Sequence, residues 1–428
     1  MSLGSVATQL RASLAIPALA AGLLFGLGAG EVAAQSAAPF RDGTILVGFR
    51  AGTSAADAHA AATRVGATDS RVVGAGTHVL SVPSGKVETT IAALRGNAMV
   101  RYAEPDYLIS VSMTPDDPDY SQLWGLRKVA ADEAWDVTTG SNDVVVGVVD
   151  TGIDYTHPDL AANVWTNDGS LGHCRAGTHG FDAISNKCDP MDDHFHGTHV
   201  SGTIGAVGNN NLGVIGVNAH VSVMGLKFLD SHGSGYTSDA VDAIDWGVKA
   251  KQAGVNLRVL SNSWGGGPYS QALKDEIDKA GANDILFVAA AGNNSFSNDV
   301  WAMYPCGYKA ANELCVAATD KRDRRAYFSN YGVNSVDLAA PGVDILSTVP
   351  GGGYASYSGT SMATPHVAGT AALALSQGYQ TVSALKATIL ASVDRVSSLD
   401  GVVRTGGRLD VCKAVSGCVA SSPHGKSK

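Results

Sequence analysis

The sequence predicts an α/β protein with a doubly wound, mostly parallel sheet, preceded by a small α+β domain. Beyond residue 113, short unbroken apolar runs alternate with helical segments, and strands that are apolar throughout are typical of parallel sheets covered on both faces. Residues 40–111 show a different pattern, with strand-like ends and an Ala-rich helical stretch between them. A Pro/Asp-rich link at residues 114–118 separates the two parts and indicates a domain boundary.

The elements follow in order along the chain. In the first part we expect strands at residues 44–49 and 100–107 and a helix at 55–65. In the second part we expect strands at residues 144–149, 221–229, 257–260, 285–291 and 336–339, and helices at 238–253, 271–282, 361–377 and 382–392. In such a sheet ligands bind beyond the carboxyl ends of the strands, where Asp150 and Asn293 follow two of the apolar runs.

The N-terminus predicts export. Arg11 precedes an Ala/Leu/Gly stretch at residues 13–30, and small residues lead into Gln35, which is the pattern of a signal peptide over residues 1–34. An uncleaved membrane anchor stays open as the alternative, although Pro17 counts against it. We therefore expect a secreted or periplasmic protein.

Charge argues against nucleic acid as a partner. The 428 residues carry 30 Lys+Arg against 39 Asp+Glu, a net charge of -9, and basic residues form no long run. The six cysteines lie in three sequence-local pairs, so an exported chain could form disulfides, but the sequence does not fix their connectivity and leaves free thiols open.

Three glycine-rich segments carry a carboxylate, an imidazole and a hydroxyl. They contain Asp150, His196 and Ser361. A serine hydroxyl becomes a good nucleophile when an imidazole accepts its proton, and a carboxylate orients that imidazole and stabilises its cation. Ser361 stands where a glycine-rich turn enters a predicted helix, so an ordinary helix N-cap is its alternative reading.

These motifs, in the chain order Asp, His, Ser, resemble those of the subtilisin-like serine proteases, or subtilases. The resemblance covers residues 113–414, and residues 40–111 resemble the family's inhibitory propeptide. It implies a signal peptide (1–34), a propeptide (35–112) and a catalytic domain (113–428), with self-cleavage near Ser112 or Met113. It further implies a secreted serine endopeptidase that acts on proteins and peptides and is inhibited by its own propeptide.

The resemblance also assigns roles to individual residues. Ser361 would be the nucleophile, His196 the general base and then acid, and Asp150 the carboxylate that orients His196. The Asn293 side chain would stabilise the oxyanion together with the backbone N–H of Ser361. His199 is off by one residue from the zinc-protease spacing, so we expect a buried structural histidine there.

Substrate would bind as an added strand. The resemblance places the two binding edges at Ser263, Trp264 and Gly265, and at Gly233 and Gly235; a Trp264 that merely covers the core is the alternative. Asn294 and Met303 fall near the first specificity pocket, where no carboxylate favours basic substrates, so we expect broad specificity with an apolar tendency. Phe195, before the histidine, departs from the small residue usual in the family.

The resemblance implies structural Ca²⁺, because hard oxygen ligands from several segments suit this ion. An Asn-rich turn with two solvated aspartates is the alternative. A second acidic stretch with Asp182, Asp189 and Asp192 is a weaker candidate. The implied calcium ligands are Asp117, Asp159, Gly208, Asn210, Leu212 and Val214.

Two other functions stay open. An esterase of the α/β-hydrolase type would also use serine, histidine and a carboxylate, but its histidine follows the serine in the chain. A non-catalytic binding protein could share the fold. We expect a monomer.

Overall fold

The computed structural model describes residues 40–107, 114–378 and 381–418. The predicted signal peptide and the predicted cleavage region at Ser112 and Met113 lie outside these ranges. Within them, no helix combines the length and the apolar character that crossing a membrane requires.

Residues 40–107 form a four-stranded antiparallel sheet with two helices, in the strand order β2-β3-β1-β4. Ile45, Leu80 and Leu94 are fully buried at the centre of its small core. The three predicted segments are confirmed, whereas β2, β3 and α2 were not predicted. The elements are β1 (Phe40–Phe49), α1 (Ala55–Arg64), β2 (Thr68–Val73), β3 (Thr77–Ser81), α2 (Val87–Arg95) and β4 (Val100–Tyr107).

The second part contains a nine-stranded sheet flanked by helices. Its elements are α3 (Trp124–Lys128), α4 (Ala131–Ala134), β5 (Gly140–Asp150), β6 (Gly180–Asp182), α5 (His196–Gly205), β7 (His220–Lys227), α6 (Thr237–Gln252), β8 (Leu257–Asn262), α7 (Gln271–Ala282), β9 (Leu286–Ala290), β10 (Glu313–Thr319), β11 (Leu338–Pro341), β12 (Ile345–Val349), β13 (Gly353–Tyr357), α8 (Thr360–Leu375), α9 (Val382–Ala391), β14 (Asp394–Arg395), β15 (Gly407–Arg408) and α10 (Val411–Ala414).

The sheet has the order β14-β15-β11-β10-β9-β8-β5-β7-β6, and only the β14–β15 pair is antiparallel. The doubly wound, mostly parallel fold is therefore confirmed. The strand β10 was not predicted, nor were the short strand β6 and the β12–β13 hairpin.

Both faces of the sheet are buried, which explains the unbroken apolar runs. Along β5, Val146 and Val148 pack in one core with α5 and α8, while Val145 and Val149 pack in the other with α6 and α7. Successive side chains of a strand point to opposite faces, so a strand between two helical layers must be apolar at every position.

The topology brings the ends of β5, β7, β8 and β9 together at one edge of the sheet. From β5 the chain forms the edge strand β6 and then β7 on one side, and it continues through β8 to β11 on the other side, so the strand order reverses beside β5. In open α/β sheets this reversal opens a crevice for ligands. The helix α5 begins at His196, and α8 begins at Thr360, directly before Ser361.

Three disulfides join the sequence-local cysteines: Cys174–Cys188, Cys306–Cys315 and Cys412–Cys418. No described cysteine is left free. This outcome suits a protein that matures in an oxidising compartment.

Candidate active site

Asp150 and His196 form a hydrogen-bonded pair at the end of β5 and the start of α5. The distance between His196 Nδ1 and Asp150 Oδ1 is 2.8 Å, and Asp150 is fully buried. The same Asp150 oxygen accepts the backbone N–H of Thr151 at 2.7 Å. Burial lowers the pKa of His196, but the charge and hydrogen bond of Asp150 outweigh it, and the net direction is upward. The pair therefore favours the imidazolium that proton transfer would create.

Asp192 holds the start of the histidine helix in place. One of its oxygens accepts from Thr151 Oγ1 at 2.9 Å, and the other accepts from the backbone N–H and the hydroxyl of Thr198 at 2.9 and 2.6 Å. Thr151 Oγ1 in turn accepts the backbone N–H of Gly197 at 2.8 Å. A carboxylate at a helix N-terminus satisfies free N–H groups there. This network ties the strand end with Asp150 to the helix with His196.

Ser361 lies in the first turn of α8, and reciprocal hydrogen bonds link it to Ser263. Ser361 Oγ donates to the carbonyl oxygen of Ser263 at 2.9 Å, and Ser263 Oγ donates to the carbonyl oxygen of Ser361 at 2.9 Å. The helix start supplies backbone N–H groups and the positive end of a helix dipole. The pair joins the predicted nucleophile to the segment that follows β8.

Asn293 follows β9 and faces the start of α8. Its Oδ1 accepts from the backbone N–H and the hydroxyl of Thr360, at 2.9 and 3.1 Å. With the oxygen held in this way, the Nδ2 donors have no acceptor among the residues that the structure describes, and Asn293 lines the cleft. An N–H donor fixed in position before reaction is the type of group that stabilises a developing oxyanion.

One cleft of about 420 Å³ brings most of the predicted residues together. His196, Ser361 and Asn293 line it, as do four of the five predicted substrate residues, Ser263, Trp264, Gly265 and Gly233. Asn294 and Met303 also line it. Gly235 is not among its lining residues: a Cβ there would meet the carbonyl oxygen of Phe228 at 2.2 Å, so close packing accounts for this glycine.

Trp264 has both a cleft-lining and a packing role. It lines the cleft, and its ring packs edge-on against Phe228 at a centroid distance of 4.7 Å. Phe195 stacks on His194 at 4.1 Å and on Tyr357 at 4.8 Å, so the unusual residue before His196 belongs to an aromatic stack.

His199 is a buried structural histidine, as expected. Its Nε2 donates to the carbonyl oxygens of Ile345 and Ala355 at 3.1 and 3.0 Å. Burial lowers the pKa of His199 to about 4. The ring therefore stays neutral and joins α5 to the β12–β13 hairpin.

The predicted calcium residues lie together, with two buried carboxylates at their centre. Asp117 Oδ2 accepts the backbone N–H of Asn209 at 3.0 Å, and Asp159 accepts from Asn210 Nδ2 and from the backbone N–H of Val214 at 2.7 and 2.9 Å. Burial raises the pKa of both aspartates, and the charge of Asp159 adds to the rise at Asp117.

These residues fit a divalent cation. Asp117 Oδ1 is buried without a hydrogen-bond partner, and within the described ranges neither carboxylate pairs with a Lys, Arg or His side chain. Two adjacent buried carboxylates need a compensating charge. Among the described residues, no group of three or more His, Cys, Asp or Glu side chains is arranged to hold a metal ion. The predicted calcium site is not a group of this kind, because it has only two carboxylates and its other ligands are amide and carbonyl oxygens.

The second acidic stretch is used for local hydrogen bonds. Asp182 accepts from the backbone N–H of Ile184 and the hydroxyl of Ser185, and Asp189 accepts from the Tyr155 hydroxyl. Asp192 belongs to the network at the start of α5. These carboxylates therefore have structural partners, and the loop does not gather them into a metal site.

Sequence reasoning did not assign several polar residues to the cleft. His194 and His232 line it, and Lys227 is buried at the end of β7. The sequence signal for Lys227 was its position at the end of a largely apolar run, residues 221–227. No local pattern indicated that residues 194 and 232 approach the same cleft.

Comparisons with known proteins agree with this geometry. Residues 141–407 match the model of the Peptidase_S8 subtilase family, and residues 28–106 match that of the fervidolysin N-terminal prodomain. A thermophilic serine proteinase from Bacillus sp. (strain AK1) is 39% identical over 378 residues, which are 87% of each chain. Thermitase from Thermoactinomyces vulgaris is 37% identical over 303 residues, 71% of this chain and 99% of that protein.

A solved structure agrees as well. The crystal structure of a cold adapted subtilisin-like serine proteinase aligns with a TM-score of 0.54 and 32% identity, covering 63% of this chain and 90% of that chain.

Proposed function

Because the chain belongs to the subtilase family and is a serine-type endopeptidase with an N-terminal prodomain, we propose that Asp150, His196 and Ser361 form its catalytic triad. The observation that carries this proposal is the 2.8 Å hydrogen bond between His196 and buried Asp150, in a cleft that Ser361 also lines.

The proposed reaction is acyl transfer. Asp150 holds Nδ1 of His196, which leaves Nε2 to take the proton of Ser361 Oγ as that oxygen attacks the substrate carbonyl. For this step the Ser361 hydroxyl exchanges its hydrogen bond with the Ser263 carbonyl for one with His196. His196 then donates the proton to the leaving amine, and a water molecule, activated in the same way, releases the acyl group.

The oxyanion would be stabilised by two donors. Asn293 Nδ2 and the backbone N–H of Ser361 would both donate to the substrate oxygen as its charge develops. Thr360 supports this arrangement, because its two hydrogen bonds to Asn293 Oδ1 fix the amide plane.

Substrate would bind as a strand along the cleft. The proposed edges are Ser263, Trp264 and Gly265 on one side and Gly233 and Gly235 on the other, with backbone hydrogen bonds supplying affinity. Gly235 would contribute through its backbone, since close packing explains its missing side chain. Met303 and Asn294 supply an uncharged pocket wall, which supports broad specificity with an apolar tendency.

The precursor would process itself. We propose that residues 35–112 serve as propeptide, inhibit the enzyme and are removed by cleavage near Ser112 or Met113. Secretion, directed by a signal peptide over residues 1–34, is supported by the three disulfides, which persist in oxidising compartments. We propose that the mature enzyme is a monomer.

A calcium ion is proposed as structural cofactor at Asp117 and Asp159. The Asn210 side chain and the backbone carbonyls of Gly208, Leu212 and Val214 would complete the ligand set. When bound, the ion would neutralise the two buried carboxylates and hold the 208–214 loop against the chain near residue 117.

The proposal is tested by comparing the wild-type precursor with Ser361→Ala. We expect the wild type to cleave itself and then casein, while Ser361→Ala accumulates as an uncut precursor after signal removal. Self-cleavage of Ser361→Ala at the wild-type rate would overturn the proposed role of Ser361. Turnover of short esters without casein hydrolysis would favour the esterase alternative.

A further inference from the structure

Lys227 is a buried lysine at the carboxyl end of β7, directly beside the catalytic strand. The residue is 4% exposed, and in the parallel pairing of β5 with β7 it is the partner of Asp150. An ammonium group is costly to bury unless it is paired and hydrogen-bonded. The groups around the ammonium therefore show how its buried charge is compensated.

The ammonium donates three hydrogen bonds of 2.7 Å each. The acceptors are the carbonyl oxygens of Thr151 and Leu229 and the carboxylate of Asp193. An ammonium group has three donors, so all of them are used. The arrangement is complete and leaves no room for a further ligand at Nζ.

Each acceptor lies on a different segment that serves the proposed reaction. Thr151 follows Asp150, Asp193 lies three residues before His196, and Leu229 lines the cleft just before the Gly233 edge. The segments are far apart in the chain and meet at one cation.

We propose that Lys227 is a positioning residue, whose ammonium fixes the Asp150 strand end, the segment before His196 and the substrate edge relative to one another. The inference rests on the proposed triad. It assigns Lys227 no contact with the reacting atoms. Its effect on catalysis is transmitted through the backbone at Thr151 and Leu229 and through the Asp193 carboxylate.

The Lys227–Asp193 pair also sets the charge near His196. Asp150 and Asp192 both act to raise the pKa of His196. Lys227 and the half-exposed Asp193 carry opposite charges and pair at 2.7 Å. The charged and titratable groups on the segments that adjoin His196 are Asp150 at the end of β5, Asp192, Asp193 and His194 before α5, His199 within α5, Lys227 at the end of β7, and Asp230 and His232 in the loop after β7.

Two single variants disturb this pair with opposite signs. Lys227→Met removes the positive charge and leaves Asp193 unopposed, which favours the imidazolium form of His196. Asp193→Asn removes the negative charge, while its amide oxygen can still accept from Lys227, and this disfavours the imidazolium. The double variant removes both charges.

The test measures kcat and KM on a peptide substrate from about pH 5 to 9, after active-site titration with a fluorophosphonate at each pH. We expect the acid limb of kcat/KM to move up by about 0.3 pH unit or more in Lys227→Met and down by a similar amount in Asp193→Asn. The double variant should return close to the wild-type limb. In Lys227→Met, kcat per titrated site should fall by about tenfold or more, because the site segments lose their common anchor.

A merely structural lysine would give a different result. It would lower the melting temperature and the titratable fraction, but leave kcat per titrated site and the acid limb unchanged, and that outcome would overturn the proposal. Acid limbs that move in the same direction in both single variants would also overturn it. If Lys227→Met does not fold, the acid limb of kcat/KM in Asp193→Asn still tests the proposal: a downward shift supports it, and an unshifted limb overturns it.

The wild type separates this inference from the proposed function. A wild type that is neither labelled at Ser361 nor active on peptides would overturn the triad and the role of Lys227 with it. A labelled, active wild type with unshifted variants would overturn the role of Lys227 alone.

Discussion

Replacing Asp150 with Asn tests the carboxylate that we place behind His196. The substitution is nearly isosteric, and it fits because Asp150 Oδ1 accepts both of the hydrogen bonds assigned to the side chain, from Thr151 N and His196 Nδ1, while the buried Oδ2 has no partner. An amide whose oxygen occupies the Oδ1 position keeps both bonds. The variant therefore removes the charge and keeps both hydrogen bonds, while its amide N–H donors take the buried Oδ2 position, where they have no partner.

The magnitude follows from the separation of the charges. His196 Nδ1 lies 2.8 Å from the carboxylate oxygen. Taking about 4 Å between the charge centres and an effective dielectric constant of about 20, the lost attraction is about 4 kcal/mol. If the transition state carries a full imidazolium, this corresponds to a loss of about 10³-fold in kcat/KM.

The assay is hydrolysis of a chromogenic peptide by titrated enzyme across a pH series. We expect the loss in kcat/KM, together with a downward move of the acid limb, because the Asp150 charge raises the pKa of His196. Asp278→Asn on α7, which breaks a surface pair with Lys274, is the matched control and should change kcat/KM little. An Asp150→Asn enzyme with kcat/KM within tenfold of the wild type would refute the reasoning.

Three further predictions concern other parts of the molecule. Burial raises the pKa of Glu313 from 4.5 to about 8, so the protonated form stabilises the fold. This stabilisation is complete below pH 4.5 and is lost as the pH rises through about 8. Between these two pH values the free energy of unfolding falls by about 1.4 kcal/mol per pH unit. Glu313→Gln should flatten this dependence in thermal melts of inhibitor-blocked enzyme, and an unchanged pH profile would contradict it. At a free calcium concentration of about 100 times Kd, the ion should stabilise the fold by about 2.7 kcal/mol; a chelator should lower the wild-type melting temperature but have little effect on Asp117→Asn, and a wild type indifferent to chelator would exclude the site. Met362 follows the proposed nucleophile Ser361 in the chain and is 2% exposed. Its oxidation to the larger, polar sulfoxide should cause loss of activity, and full activity after oxidation confirmed by mass spectrometry would contradict this.

Apolar runs predicted the sheet because both of its faces are covered. The runs at residues 144–149 and 257–260 correspond to β5 and β8, and α7 has the predicted bounds. The sequence did not indicate β10, although Leu314 to Ala318 are apolar, because its first residue is Glu313, an ionisable side chain that becomes enclosed only when helices pack over the strand. The β12–β13 hairpin was missed because its Ser, Thr and Gly content resembles that of loops.

Motifs predicted the cleft residues because each lies at a strand end or a helix start. The structure places Asp150 against His196 and brings Ser361 and Asn293 into the same cleft. Lys227 was missed because its meaning depends on acceptors from three segments, two of which, at Thr151 and Asp193, are distant in the chain. Gly235 stays a predicted substrate edge through its backbone, and its missing side chain has a packing reason as well, because the carbonyl of Phe228 leaves no space for a Cβ there. Such close approaches arise in three dimensions and leave no local pattern in the sequence.

Covalent labelling of Ser361 tests the central claim most directly. The mature enzyme is treated with a fluorophosphonate probe, digested and analysed by mass spectrometry, with His196→Ala as a control. We predict one modified peptide, with the probe on Ser361, and labelling slower by about 10² or more in the control because the general base is absent. A wild type that hydrolyses casein while Ser361 stays unmodified, or one labelled at another serine, would contradict the proposed mechanism.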